Sequence, residues 1–325
     1  MEQKHFVIGL DIGGTNSVFG LIDDNNNIKA TRTLPTQQYE YAWQFVDDAV
    51  RVIEELTILV GDSSGISAIG IGAPCGNHNE GTIEHAADVV WAHGVVPICK
   101  MLSERTDLPV AITNDAKAAA MGEMRYGAAR GMRNFIEITL GTGVGSGIVA
   151  DGRLIYGCDG FAGELGHTII DFDHGRPCGC GRSGCLDVYC STRGVVMTAH
   201  EMMEHWDGET ELRKVKHDQL TTLDIYHAAE HGDKLAQEVF RYTGELLGRA
   251  CANFATFLSP EAFIFFGGLA LAGDWLLKPA KEAYDKYVLN LYKGKAKFIP
   301  SSLEGGTVAI LGAAAIAWEI QKKEK

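Results

Sequence analysis

Apolar positions in the first 34 residues fall into three short runs separated by glycine or polar corners: HFVIGL, then DIGGTN, SVFGLID, the turn DNNN, and IKATRTL. Short runs rich in β-branched and aromatic side chains, punctuated by Gly and Asn, read as strands joined by tight turns. The sequence therefore predicts an antiparallel meander with a glycine corner at its first bend. Behind it the period changes: Ala42, Phe45, Val46, Ala49, Ile53, Leu56 and Val60 recur at steps of three and four, which predicts a helix laid on that sheet. The runs ISAIGIGA and PVAIT are predicted strands. The second passes at Asn114 and Asp115 into NDAKAAAMGE, whose alanines favour helix.

A second set then repeats the plan of the first, with NFIEITL, the corner GTGVG and SGIVADGRLIY. Further helices are predicted over 221–231, 233–257, 274–291 and 307–320, with the buried strand AFIFFGG between them. A chain of 325 residues suits two packed cores. No low-complexity linker divides it, so the crossover is placed near residue 115. Residues 1–115 form a small α/β domain rejoined by the C-terminal helix at 307–325, and residues 116–306 form a larger α/β domain.

The net charge of −13 disfavours partnership with nucleic acid or an anionic membrane surface, so any phosphate site must be built locally from backbone amides and helix ends. No run of apolar residues is long enough to span a bilayer, and the amino terminus carries no cleavage pattern of a secretory signal. The expectation is a cytoplasmic protein.

DIGGTN has the parts of a phosphate loop. Gly13 and Gly14 let amides face phosphate oxygens, Thr15 offers a hydroxyl, and Asp11 can hold a hydrated magnesium ion. A plain hairpin turn fits the same residues, but the matching corner Gly141, Thr142, Gly143 shifts the balance toward a nucleotide. Gly267 and Gly268, closing the strand AFIFF, are a third candidate contact. GxxxxGK[ST] is absent and no stretch satisfies the full GxGxxG fingerprint of a dinucleotide fold, which argues against a P-loop or dinucleotide fold. His167, Cys178, Cys180 and Cys185 supply one imidazole and three thiolates, the ligand set of a closed structural zinc site, and the intervening glycines let the chain wrap an ion. Asn-Asp before an alanine run is also what helix capping prefers, so Asn114 and Asp115 admit a structural and a chemical reading together.

DIGGTN, TNDAKAAAMGE, GTGVGSG, GFAGELGH and CGCGRSGCLD, in that order and spacing, resemble the ROK family of bacterial sugar kinases and sugar-responsive repressors over almost the whole chain. The resemblance implies an α/β, actin-like (ribonuclease H-like) two-domain ATPase fold with duplicated mixed sheets, a hexose in the interdomain cleft, ATP with Mg2+, and a homodimer. It implies that Asp115 is the base for the sugar 6-hydroxyl, and that Asn114, Glu164, His167 and Asp187 contact sugar hydroxyls. Asp11, Gly13, Gly14, Thr15, Asn16, Gly141, Thr142, Gly143, Gly267 and Gly268 would serve the nucleotide. One nitrogen of His167 would bind zinc while the other side of the ring faces the sugar. The first strand starts near residue 5, which leaves no room before it for a repressor's helix-turn-helix. Cys75, Ala87, Asp88, Lys117 and Asp187 depart from the kinase pattern around the expected sugar pocket. Glucose is the first candidate, with N-acetylated hexosamines, mannose, allose and fructose as alternatives; a non-catalytic sugar-binding regulator is the rival reading.

Overall fold

The computed structural model describes residues 5–59, 65–303 and 305–323. Val60 of the first helical pattern and the last two residues of the predicted returning helix lie outside them. The chain forms two compact units. The first takes in the chain through Gly131, Leu154–Gly163, and the chain from Ser302; the second comprises Met132–Arg153 and Glu164–Ser301.

In the first unit, β1 (Phe6–Ile12), β2 (Asn16–Asp23) and β3 (Ile28–Pro35) form the meander. After α1 (Ala42–Ile58), β4 (Ile66–Gly72) pairs parallel to β1, and β8 (Val110–Thr113) pairs parallel to β4. The sheet order is β3-β2-β1-β4-β8. Between β4 and β8 lie a small sheet of β5 (Gly76–Asn77), β6 (Thr82–Glu84) and β7 (Val95–Val96), then α2 (Ile98–Thr106). α3 (Asp115–Tyr126) follows β8.

The second unit holds β9 (Phe135–Leu140), β10 (Val144–Ala150), the start of β11 (Arg153–Leu154), α4 (Asp187–Cys190), α5 (Thr192–Glu204), α6 (Thr222–Glu230), α7 (Lys234–Leu258), β12 (Ala262–Phe266), α8 (Asp274–Tyr287) and β13 (Lys297–Pro300). Its sheet order, β11-β10-β9-β12-β13, repeats the first. In both, an antiparallel hairpin at the chain's entry is extended by parallel strands. This is the duplicated mixed sheet of the actin-like (ribonuclease H-like) fold. The predicted helix over 274–291 stops at Tyr287, where Val288 turns extended.

The first sheet is covered on both faces. Phe45, Val46, Ala49, Ile53 and Leu56 of α1 pack with Ile8, Leu10, Phe19 and Leu21 on one side. On the other lies α9 (Gly305–Lys323), whose Ile310, Ala314, Ala317 and Trp318 meet Val7, Ile22 and Ala68. Glycines let this helix sit flush: a methyl group placed on Gly70 would lie 1.9 Å from the Ala313 carbonyl oxygen, and one on Gly9 would lie 2.2 Å from that of Ile310. On the opposing helix, Gly312 lies as tightly against the backbone of Ala118 in α3. The chain thus leaves the first unit at Gly131, after α3, rather than at a boundary near residue 115, because α3 and α9 need each other's close approach.

Candidate active site

Each unit contributes its own set of groups. In the first, the three-residue corner Gly13 to Thr15 joins β1 to β2, with the Gly13 amide donating to the Asn16 carbonyl at 3.0 Å. Gly14 has no room for a side chain, since a methyl group there would lie 2.9 Å from the Asp88 carbonyl oxygen. Asp11, one residue before the end of β1, is half-buried. Burial, and then the charge of nearby Asp115, raise its carboxyl to about 6. A cation beside Asp11 would offset that burial and favour its ionised form.

Asp115 opens α3 and is exposed. The Asn114 side chain caps the helix by accepting from the Lys117 amide at 2.8 Å, and the Ala116 amide donates to Asp115 Oδ1 at 2.8 Å. Asn114 therefore ends the strand and caps the helix at whose first residue Asp115 stands exposed. Lys117 is almost wholly buried, and its Nζ donates to the Gly160 carbonyl at 3.2 Å. With Asn77 reaching Asp159 and Asn79 reaching Gly157 and Cys158, it fixes the loop that leads into GFAGELGH.

In the second unit, the corner Gly141 to Gly143 repeats the first: three residues between strands, with the Gly141 amide bound back to the Gly143 carbonyl at 3.0 Å. Gly267 has φ +98, and a methyl group there would lie 2.5 Å from the Leu140 carbonyl oxygen, so only glycine brings the end of β12 against this corner. Gly268 lines a cavity of about 890 Å³, together with Thr192, Arg193, Met197, Leu220, Leu223, Tyr226 and Leu271. The cavity's size and apolar lining suit a nucleoside.

Asp187 is buried, and its Oδ1 accepts from the Val144 amide at 2.7 Å. A methyl group on Gly143 would lie 2.9 Å from the same oxygen. This carboxylate therefore fastens the glycine corner, a role that its motif position did not reveal. Glu164 is exposed and precedes the short turn Leu165–His167, its carbonyl accepting from the His167 amide at 3.1 Å. Gly166 packs against the Val144 carbonyl, where a methyl group would lie 2.0 Å away, so the segment with Glu164 and His167 is seated on the start of β10.

The ligand atoms of His167, Cys178, Cys180 and Cys185 all lie within 4.8 Å of one another. Cys178 Sγ is 3.7 Å from His167 Nδ1, and Cys180 Sγ is 3.6 Å from Cys185 Sγ. Zinc bonds of about 2.3 Å to sulfur and 2.0–2.1 Å to nitrogen, at tetrahedral angles, place such atoms roughly 3.6–3.8 Å apart, so the residues fit the ion. Hydrogen bonds from the Arg182 backbone and guanidinium lower the Cys180 thiol to about 6, while burial and the neighbouring thiols push Cys185 up to about 12. A divalent cation supplies the charge that lets buried thiolates share one site. Gly181 and Gly184, at φ +85 and +78, make the turns that bring Cys178 and Cys180 round to Cys185.

A profile of the ROK family matches residues 7–320. The chain is 35% identical over 325 residues to the glucokinase of Halalkalibacterium halodurans, covering 99% of this chain and 97% of that protein. It is 31% identical over 274 residues to the N-acetylmannosamine kinase of Escherichia coli O157:H7, covering 83% and 85%. Among solved structures, the ROK family glucokinase from Streptomyces griseus in complex with glucose and AMPPNP is 32% identical, with a TM-score of 0.75 across 97% of this chain and 99% of that one. The fold is that of the actin-like ATPases. Within that class, this chain belongs to the ROK family.

Proposed function

We propose that this protein transfers the γ-phosphoryl group of ATP to the 6-hydroxyl of a hexose, with glucose the first candidate. Beside the kinship to glucokinases, one observation carries the reading. The first unit gathers an exposed aspartate at a helix start, a second carboxylate raised to about 6 by burial and by the first, and a glycine corner with no room for a side chain.

Phosphoryl transfer asks its enzyme mainly for positioning and charge neutralisation. Asp115 Oδ1 is occupied by the Ala116 amide, leaving Oδ2 to orient the sugar hydroxyl and take its proton late in the transfer. Asp11 would hold a hydrated magnesium ion, which supplies neutralisation of phosphate charge. The corners at Gly13, Gly14, Thr15 and Asn16 and at Gly141, Thr142 and Gly143 would hold the phosphates, with Gly267 and Gly268 beside the nucleoside. Asn114, Glu164, His167 and Asp187 would read the sugar hydroxyls. His167 does so with Nε2, its Nδ1 being turned to the cysteines. Zinc in the Cys3His knuckle would be a structural staple, since four protein ligands leave no open position. A reducing cytoplasm suits those thiolates, and the family resemblance extends the proposal to a homodimer. Among the described residues, no helix is long and apolar enough to cross a membrane.

The test is ADP release across a panel of hexoses, with Asp115→Asn and Asp115→Ala beside the wild type. Sugar-dependent ADP release that collapses by at least a hundredfold in both variants is expected. Turnover independent of sugar, or full activity in Asp115→Ala, would overturn the assignment.

A further inference from the structure

Arg193 is the second residue of α5, a place where the aligned N–H groups of the helix disfavour a cation. Its side chain is 73% exposed, yet it is not a loose surface arginine. Nε donates to the Thr142 carbonyl at 2.9 Å, and the preceding Thr192 amide donates to the Gly141 carbonyl at 2.8 Å. The start of α5 is thus stitched to two consecutive carbonyls of the second glycine corner. The bond at Nε orients the guanidinium there, with one terminal nitrogen on the side of Asp187. Its ion-pair partner among the described residues is Asp187, at a long 3.8 Å, and the other oxygen of that carboxylate is held by the Val144 amide.

A cation fixed at the positive end of a helix, weakly paired and in a protein of net charge −13, is an unfavourable arrangement until an anion arrives. Arg193 also lines the cavity of about 890 Å³ with Leu220, Tyr226, Gly268 and Leu271, whose lining suits a purine nucleoside. A nucleoside seated there and phosphates laid toward Gly141 to Gly143 would pass the guanidinium, which binds phosphate oxygens in a forked, charge-assisted geometry.

We propose that Arg193 grips the phosphate chain of the bound nucleotide, and so is a substrate-binding residue of the phosphoryl-transfer reaction. The assignment rests on the reading of ATP as donor. The Thr142 carbonyl orients the side chain through Nε, and the Asp187 carboxylate lies 3.8 Å from a terminal nitrogen.

The experiment compares binding of adenosine and of ADP, by titration followed by NMR, in wild type, Arg193→Ala and Arg193→Lys, with KM values for ATP and for the sugar alongside. A charge-assisted phosphate contact predicts that Arg193→Ala lowers ADP affinity and raises KM for ATP, each by about tenfold or more. Adenosine affinity and sugar KM should stay within about twofold, because the lost contact involves only phosphate oxygens. Arg193→Lys should recover part of the loss, as a point charge without the fork. Equal loss of adenosine and ADP would mark a merely structural arginine, and unchanged ADP affinity would remove the contact; either overturns the assignment. A wild type that binds neither ADP nor ATP would instead bring down the donor reading, and this assignment with it.

Discussion

Replacing Asp187 by alanine separates two uses of one carboxylate. Its Oδ1 takes the Val144 amide at 2.7 Å in a buried setting and presses against Gly143, so the second glycine corner is held by a charge-assisted hydrogen bond. Losing such a bond costs about 1.5–3 kcal/mol, a figure that includes stranding the buried Val144 amide. At 1.4 kcal/mol per factor of ten, a corner that must be re-ordered by nucleotide should show KM for ATP raised roughly 10- to 100-fold. Asp187→Asn keeps an oxygen that can accept from Val144 and should retain most of the affinity. Asp187→Glu inserts a methylene where the carboxylate already touches the corner, and should fall between the two. Two-substrate kinetics in a coupled ADP assay reads each case. The sugar KM can also rise, through the Oδ2 edge, but the reasoning fails if Asp187→Ala leaves KM for ATP within about twofold of wild type.

Protein purified without added metal should contain about one zinc per chain, and X-ray absorption should show three sulfur ligands and one nitrogen. Cys180→Ser should lower the content; a metal-free, fully active wild type contradicts the knuckle as a zinc site. Gly70→Ala forces a methyl group toward the Ala313 carbonyl, where 1.9 Å separates them, and should destabilise the protein by about 1–3 kcal/mol in thermal or urea unfolding. Gly94→Ala, with open space around it, is the neutral control; equal stability of the two would refute the flush seating of α9. Burial raises the Asp23 carboxyl, but Lys29 at 2.8 Å and the backbone and side chain of Asn27 outweigh it and lower the carboxyl to about 2. Because the folded value lies below the ordinary ~3.9, this stabilisation is complete above pH ~4 and is lost as pH falls from there toward about 2. The stability gap between wild type and Asp23→Asn in melts from pH 7 to 3 should narrow below about pH 4; a constant gap would show that the ion pair does not titrate with folding.

The strands and their glycine corners were legible because each carries its own local signal: alternating apolar residues, then Gly-Gly-Thr or Gly-Thr-Gly at a bend of equal length. The knuckle was legible for a similar reason, since three cysteines within eight residues carry ligand chemistry that no other fold feature imitates. Other features depend on what lies opposite in space. Asp187 looked like one more polar motif residue, because nothing in CLDVYC shows that its carboxylate meets the Val144 amide. Arg193 sits in STRG without any phosphate-loop spacing, and only its bond to Thr142 brings it to the corner. Residues 154–163 follow the second strand set without a break in pattern, yet they belong to the first unit through contacts such as Lys117 to Gly160. A short sequence window around Gly160 lacks the partner 43 positions earlier.

The seating of α9 carries a consequence for biosynthesis. Strands β1, β2 and β4 precede the second unit, yet the helix that closes one face of their sheet is translated only after it. During translation the second unit can complete its fold first, while Val7, Ile22 and Ala68 wait uncovered with the narrow channel floored by Gly9 and Gly70. A ribosome stalled before residue 305 would therefore hold a nascent chain whose earliest strands are its least finished part, and a chaperone would find its client surface there.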